Sequence, residues 1–314
     1  MDVSVIMINY NTEELTRNAV NSIFEHTSGL EYEVILIDNA SPDGSGDKLA
    51  AEFEGRIEYI QSGGNLGTSK AFNLGLKKSS GKYVLWLNTD ILFRDNFIGT
   101  LFQYMEEHPD CGICGGNLLD FDGNPAHSYD KHPMTVKNIK HNMSLIRFVF
   151  RKLIKKRLNL YYNYSGAPMR VSGVLGADMM IRRAVFDQIG NFEEKIFMYC
   201  EETEFAYRMQ KMTNYSVMSI PSAVMYHFDG ASFTGQKKTF SARRHRAMIS
   251  GNLVYFRKHF GEKEELRYLK LLVRSYSKFL LISRLLFMKS KVQEYKSKKQ
   301  IAKEFLQERK EVRQ

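Results

Sequence analysis

Residues 3–8 form an apolar, largely β-branched run (VSVIMI) that ends in Asn9-Tyr10-Asn11. Such a run without polar alternation predicts a strand buried on both faces. Thr12-Glu13-Glu14 follows and predicts a helix start, with the Thr12 oxygen as cap and acid in the first turn. Leu15, Ala19, Ile23 and Phe24 supply the apolar stripe of that helix. The pattern then recurs. Residues 34–37 predict a second strand ending in Asp38-Asn39, and residues 39–46 carry loop chemistry. Residues 57–60 predict a third strand. Gly63-Gly64-Asn65-Leu66-Gly67 then leads into a helix through about Lys78. Residues 83–87 predict a fourth strand, closed by Asn88-Thr89-Asp90 and followed by a helix to about Glu107. Four alternations of strand and helix predict an α/β fold with a mostly parallel sheet covered on both faces. Ligands bind such sheets at the carboxyl ends of the strands. Asn9, Asn11, Asp38, Asn39, Asn65, Asn88 and Asp90 all fall at those ends.

The second half is less regular. Residues 118–130 suggest a hairpin around Asp122-Gly123, and about 135–165 are basic and helical. Residues 177–181 predict a strand and Arg182-Arg183 a helix start. An acidic helix begins at Glu201. Two further strands span 216–220 and end at His227, and the pattern is helical from about Ser241.

Charge divides the chain. Its 314 residues carry a net charge of +10, but residues 237–314 alone carry +15 and the remainder −5. A mildly acidic body with a basic tail implies an anionic partner for the tail: phospholipid, nucleic acid or an acidic protein. In residues 266–291, Arg267, Lys270, Arg274, Lys278 and Lys289 share one helical arc, with Leu269, Tyr276, Leu280 and Phe287 opposite. This pattern fits a helix packed on the body with a solvated basic face. It equally fits an interfacial helix on an anionic leaflet. No apolar run is long enough for a spanning helix. The three cysteines, with no export signal at the start, suggest a reducing cytoplasm. Cys111 and Cys114 have redox spacing but sit in an apolar run, which predicts buried thiols.

Several residue groups offer chemistry. Asp90 at a strand end is suited to hold Mg²⁺ or Mn²⁺ against a diphosphate, and equally to close a turn. Glu201, Glu202 and Glu204 crowd a helix start. Like charges raise carboxylate pKa values, which suits a general base, while acid at a helix N-terminus also simply complements the dipole. His227 is either a ligand or a strand-end hydrogen bonder. The glycine loop at 63–67 is neither a G-x-G-x-x-G nor a Walker loop, which disfavours dinucleotide and NTPase readings.

In this order, VSVIMINYN, VILIDNAS, GGNLGTSKAFNLG, YVLWLNTD, GADMMIRRAVFDQIGNFEEKIFMYCEETEFAYR and YHFDGAS resemble glycosyltransferase family 2, especially its bacterial rhamnosyltransferase-like branch. The resemblance implies a GT-A-type, Rossmann-like nucleotide-binding domain over residues 1–235, with a nucleotide-binding half to about 117 and an acceptor half from about 118. A basic helical region then spans 236–314. It implies an inverting, metal-dependent transfer of one sugar from dTDP-rhamnose or a UDP-hexose to a glycan or lipid-linked acceptor. Asn9, Tyr10 and Asn11 would line the nucleotide pocket, Asp38 would read the pyrimidine edge, and Asn65 would sit beside the nucleotide. Asn88-Thr89-Asp90 stands for the family's D-x-D, with Asp90 as ligand of Mg²⁺ or Mn²⁺ and His227 as a further metal or diphosphate contact. Glu202, or its neighbour Glu201, would be the base. The chain departs from the pattern at Asn88, at Glu202 and Glu204 for two aspartates, and at Lys70 for a frequent glycine. The Q-x-x-R-W motif of processive members is absent. The expected place is the inner face of the cytoplasmic membrane, peripherally bound to anionic lipid, with no nucleic-acid partner and with self-association into a homo-oligomer allowed. The competing classes are a catalytically inactive partner with the same fold and a nucleic-acid binder acting through the basic tail.

Overall fold

The computed structural model describes residues 1–143, 160–228 and 240–311. The chain divides into two compact units: Met1–Pro133 with Arg157–Phe197 and Glu201–Lys238, and Met134–Lys156 with Met198–Cys200 and Thr239–Gln314.

The first unit is built on one mixed sheet. Its strands are β1 (Val3–Asn9), β2 (Tyr32–Asp38), β3 (Glu58–Gln61), β4 (Tyr83–Leu87), β5 (Ile91–Leu92), β6 (Cys111–Leu119), β8 (Met169–Arg170), β10 (Asp178–Arg182) and β11 (Ser216–His227). The order is β3-β2-β1-β4-β10-β6-β11-β5, with β8 paired to β11. β7 (Tyr129–Asp130) and β9 (Gly173–Val174) form a separate pair. β3, β2, β1 and β4 are mutually parallel, and β10 enters antiparallel between β4 and β6. The period-2 alternation of a strand sends Val5, Met7, Leu36 and Leu85 to one face and Ile6, Ile35, Ile37, Val84 and Trp86 to the other. Both faces are therefore apolar and both are covered. One receives α1 (Glu13–His26), α2 (Ser45–Glu52) and α4 (Phe97–Glu107). The other receives α3 (Gly67–Leu76), α6 (Arg183–Ile189) and α7 (Glu201–Met212).

Some elements differ from the sequence reading. Thr12 does precede the first helix, but its hydroxyl donates to Asn9 Oδ1 (2.9 Å) and makes no cap. A buried acceptor on the preceding strand outcompetes the helix amides. The two strands expected at 216–227 are one, β11, whose register shifts between Ser219 and Val224. Pro221, which has no N–H to give a ladder, lies within that shift. The predicted turn at Asp122-Gly123 exists, bridged between Leu119 and Pro125. Of the basic segment at 135–165, α5 (Val136–Asn142) is helical, residues 160–165 are not, and 144–159 lie outside the described residues.

In the second unit, α8 (Ala242–Leu285) breaks at Gly261 (φ 80°), and α9 (Lys289–Glu311) follows a tight turn. Asn252 Nδ2 donates to Tyr268 Oη (2.8 Å) and Arg257 pairs with Glu265, so the chain doubles back at Gly261. Tyr295 meets Phe279 and Arg309 Nε bonds Glu265 (2.9 Å), so α9 doubles back again. The result is three helical rods running up, down and up. The basic arc expected over 266–291 is corrected here. The helix ends at Leu285, so Lys289 opens the next helix, and Phe287, expected on the covered side, is 90% exposed at the turn.

Candidate active site

The carboxyl ends of β1 and β2 meet in a dense polar network. Asn9 and Asp38 are parallel neighbours in register and both are buried. Asn9 Nδ2 donates toward Asp38 Oδ1 (2.8 Å) and Ser45 Oγ (2.9 Å), while Asn9 Oδ1 accepts from Thr12 and Thr16. The other Asp38 contacts come from the Ser41 hydroxyl (2.5 Å), the Ser41 amide (3.0 Å) and Gln61 Nε2 (2.9 Å). Burial works to raise the Asp38 pKa, but these donors outweigh it and hold it below the usual value. Asp38 thus fastens the loop that follows it. Asn39 extends the fastening: its Oδ1 accepts from Leu66 N (2.8 Å) and its amide reaches Asn65 Oδ1 (3.3 Å). Tyr10, Asn11 and Asn65 remain exposed on the rim. Asn11 takes a left-handed backbone (φ 55°), which asparagine tolerates.

The glycine loop enters α3 through Gly67 (φ 75°), where a Cβ would stand 2.2 Å from Phe197 O. Thr68 N donates to that same carbonyl (2.7 Å). Only glycine combines that dihedral with that approach.

At the end of β4, Asn88 and Asp90 of the D-x-D position converge with His227. His227, the last residue of β11, brings Nε2 to 3.3 Å from Asp90 Oδ1 and 3.3 Å from Asn88 Nδ2. The backbone fixes this meeting, since β11 pairs with β5 just after Asp90 and Phe228 N donates to Asp90 O (2.8 Å). Thr89 turns inward, its hydroxyl 3.2 Å from that of Thr12. Among the described residues no set of three or more His, Cys, Asp or Glu surrounds a single point.

The acidic helix start separates into distinct roles. Glu204 is fully buried and pairs with Arg208 (3.0 Å), which also donates to the carbonyls of Ile189 and Asn191. It is a structural ion pair. Glu201 is 5% exposed and interacts with Thr68, and its Oε2 has no hydrogen-bond partner. Glu202 is half-buried, stacked over Gly176 and within the field of Asp130. Burial raises both pKa values, and for Glu202 the Glu201 charge adds to it. Two residues in the left-handed region, Tyr199 (φ 66°) and Cys200 (φ 83°), directly precede this helix, and non-glycine residues there concentrate at functional sites.

Sequence reasoning missed Asp178. This wholly buried carboxylate opens β10 opposite Leu87; its Oδ2 accepts from Gly116 N (2.6 Å) and its Oδ1 has no partner. Burial pushes it up to about 7, against the Gly116 hydrogen bond and the pull of His227. An acid heading an apolar strand, in GADMMIR, was the available signal.

A doubly covered, mostly parallel sheet with amides and carboxylates at its strand ends is an α/β architecture of GT-A type, in which ligands sit at the carboxyl ends of the strands. The model of the family described as Glycosyl transferase family 2 matches residues 4–190, and the chain belongs to that family. The low-salt glycan biosynthesis hexosyltransferase Agl10 of Haloferax volcanii is 30% identical over 214 residues, 67% of this chain and 62% of that protein. The chain thus spans less than two thirds of this relative's length. The N-acetylglucosaminyl-diphospho-decaprenol L-rhamnosyltransferase of Mycobacterium tuberculosis is 24% identical over 225 residues, covering 68% of this chain and 72% of that one. Among solved structures, GalNAc-T7 with UDP, GalNAc and Mn²⁺ shares the fold at TM-score 0.61 and 15% identity, covering 88% of this chain and 51% of its own.

Proposed function

We propose that this chain is an inverting glycosyltransferase that moves one sugar from a dTDP- or UDP-linked donor to a glycan or lipid-linked acceptor, with residues 1–235 as catalytic domain. The observation that carries this reading is the convergence of Asp90, Asn88 and His227 at the end of β4. Asp90 Oδ1 and His227 Nε2 are 3.3 Å apart, so these two residues would be the ones to hold Mg²⁺ or Mn²⁺. Bound there, the ion supplies neutralisation of the leaving diphosphate. GalNAc-T7, which shares the fold, is described with UDP and Mn²⁺, and this supports the assignment.

Glu202 is the base. Its raised pKa suits it to take the acceptor hydroxyl proton as that oxygen attacks the anomeric carbon. Attack from the face opposite the diphosphate inverts the sugar in one displacement. Glu201, more buried and turned to Thr68, tunes its neighbour. Tyr10, Asn11 and Asn65 meet the nucleotide at the rim. Asn9 and Asp38 hold the pocket floor, and Asp38 acts on base recognition through the loop it fastens. The mycobacterial relative's name specifies an N-acetylglucosaminyl-diphospho-decaprenol acceptor, a sugar carried on a polyprenyl diphosphate, and an acceptor of that kind would place this chain peripherally at the inner face of the cytoplasmic membrane. Among the described residues no helix is long and apolar enough to cross it.

A thermal-shift screen of UDP- and dTDP-sugars with Mn²⁺ tests the donor site. A donor at 100 times its Kd stabilises the native state by about 2.7 kcal/mol. One donor should raise the melting point in wild type and fail to do so in Asp90→Ala. No shift with any donor would refute the reading.

A further inference from the structure

Four large apolar side chains stand in solvent within seven residues: Leu281 (59% exposed), Leu285 (67%), Leu286 (60%) and Phe287 (90%). They crown the turn between α8 and α9. Exposed apolar residues scattered singly are ordinary, but four gathered at one turn mark a surface that something covers. We propose that this turn is a membrane-insertion tip that enters the interface of an anionic phospholipid bilayer. The proposal rests on the peripheral membrane reading above and names the element responsible for it.

Three further observations fit a bilayer. The turn is self-satisfied: Leu286 N donates to Ile282 O (2.9 Å), Phe287 N to Arg284 O (3.1 Å), Met288 N to Ser283 O (2.9 Å) and Lys289 N to Phe287 O (3.1 Å). These four amides are therefore satisfied within the chain and need no water. The charge around it is of one sign, since residues 266–293 hold seven Lys/Arg and no Asp/Glu. Arg284 and Lys289 are exposed beside the apolar cluster and can lay their stems along it with their charges at lipid phosphates. Finally, Phe287 lies in the turn in a left-handed backbone (φ 52°), and its 90% exposure shows that its ring is not packed against either helix. A second copy of the chain would oppose like charge to like, and a nucleic acid would leave the leucines uncovered.

The test uses the full chain and vesicles of equal parts phosphatidylglycerol and phosphatidylcholine. The triple variant Leu285→Ser, Leu286→Ser, Phe287→Ser should bind at least about tenfold more weakly than wild type, with an unchanged melting point because all three side chains are exposed. In a second variant, Phe287→Trp, the new indole should be quenched by brominated phosphatidylcholine in the same vesicles, while buried Trp86 is not. Equal vesicle binding by wild type and the triple variant, or an unquenched indole, would overturn the insertion tip and leave the peripheral reading standing. Failure of wild type to bind anionic vesicles would overturn both. Tip-dependent dimerisation in sedimentation would replace the lipid with a second copy.

Discussion

In the function proposed above Asp90 and Glu202 divide the chemistry, so their substitutions should fail differently. Asp90→Ala removes a carboxylate with no part in core packing. Transfer should fall roughly 100-fold or more with the fold intact, as when a charge-stabilising group is lost from an active site. Full activity in that variant would refute its role. Glu202→Gln keeps the shape and loses the proton acceptor, so donor binding should persist while transfer drops about 100- to 10,000-fold. If Glu201→Gln gives that phenotype and Glu202→Gln does not, the base is one position earlier. The raised pKa values also predict a stability effect. A carboxyl whose folded-state pKa lies above its unfolded value penalises the folded state as pH rises from the unfolded pKa through the folded one. Glu202→Gln should therefore melt higher than wild type at about pH 8, with the gap vanishing at about pH 4. An unchanged gap across that range would show that Glu202 ionises normally. Strand-end position and family pattern made Asn88, Asp90 and His227 legible from sequence. Their contact was not, because 137 residues separate Asp90 from His227 and only the β11–β5 pairing joins them. Asp178 escaped notice for the opposite reason: one acid heading an apolar strand looks like a strand boundary.

The apolar runs of β1, β2 and β4 read correctly as strands because they are largely buried on both faces, which leaves no polar alternation to confuse the period, whereas β3, at the sheet edge, is only partly covered. The failures came where a local rule met a tertiary competitor. Thr12 has the chemistry of a cap but serves Asn9. Helical periodicity carried past Leu285 without a glycine or proline to stop it, so Phe287 was placed on a face that does not exist. Glu204 shows why an acidic cluster cannot be divided by sequence alone: only its neighbour Arg208, buried with it, marks it as structural. Arg208→Ala would remove the guanidinium that pairs with that buried carboxylate and free the carbonyls of Ile189 and Asn191. We expect a loss of about 3–5 kcal/mol in chemical denaturation. A loss below about 1 kcal/mol would place the pair among weak surface bridges.

Charge is uneven along the chain: residues 1–236 carry −5 and residues 237–314 carry +15. The α/β unit holds the strand-end site, and the basic C-terminal helices form three rods, the last two joined by an apolar turn. Vesicle binding through the tail should weaken as salt rises, since the attraction of Lys and Arg to anionic lipid is screened over about 10 Å at 0.1 M salt. Salt-independent binding would leave insertion of the apolar turn as the sole force. The reading of the body stands on transfer itself. The decisive measurement is consumption of the donor selected by thermal shift, with Mn²⁺ and an N-acetylglucosaminyl-diphospho-polyprenol acceptor, whose sugar carries the hydroxyl to be glycosylated, by wild type, Asp90→Ala and Glu202→Gln side by side. Wild type should form one glycosylated product of inverted configuration. Asp90→Ala should neither bind the donor nor form product, and Glu202→Gln should bind without forming it. Product of retained configuration, or equal turnover by all three proteins, would contradict the account.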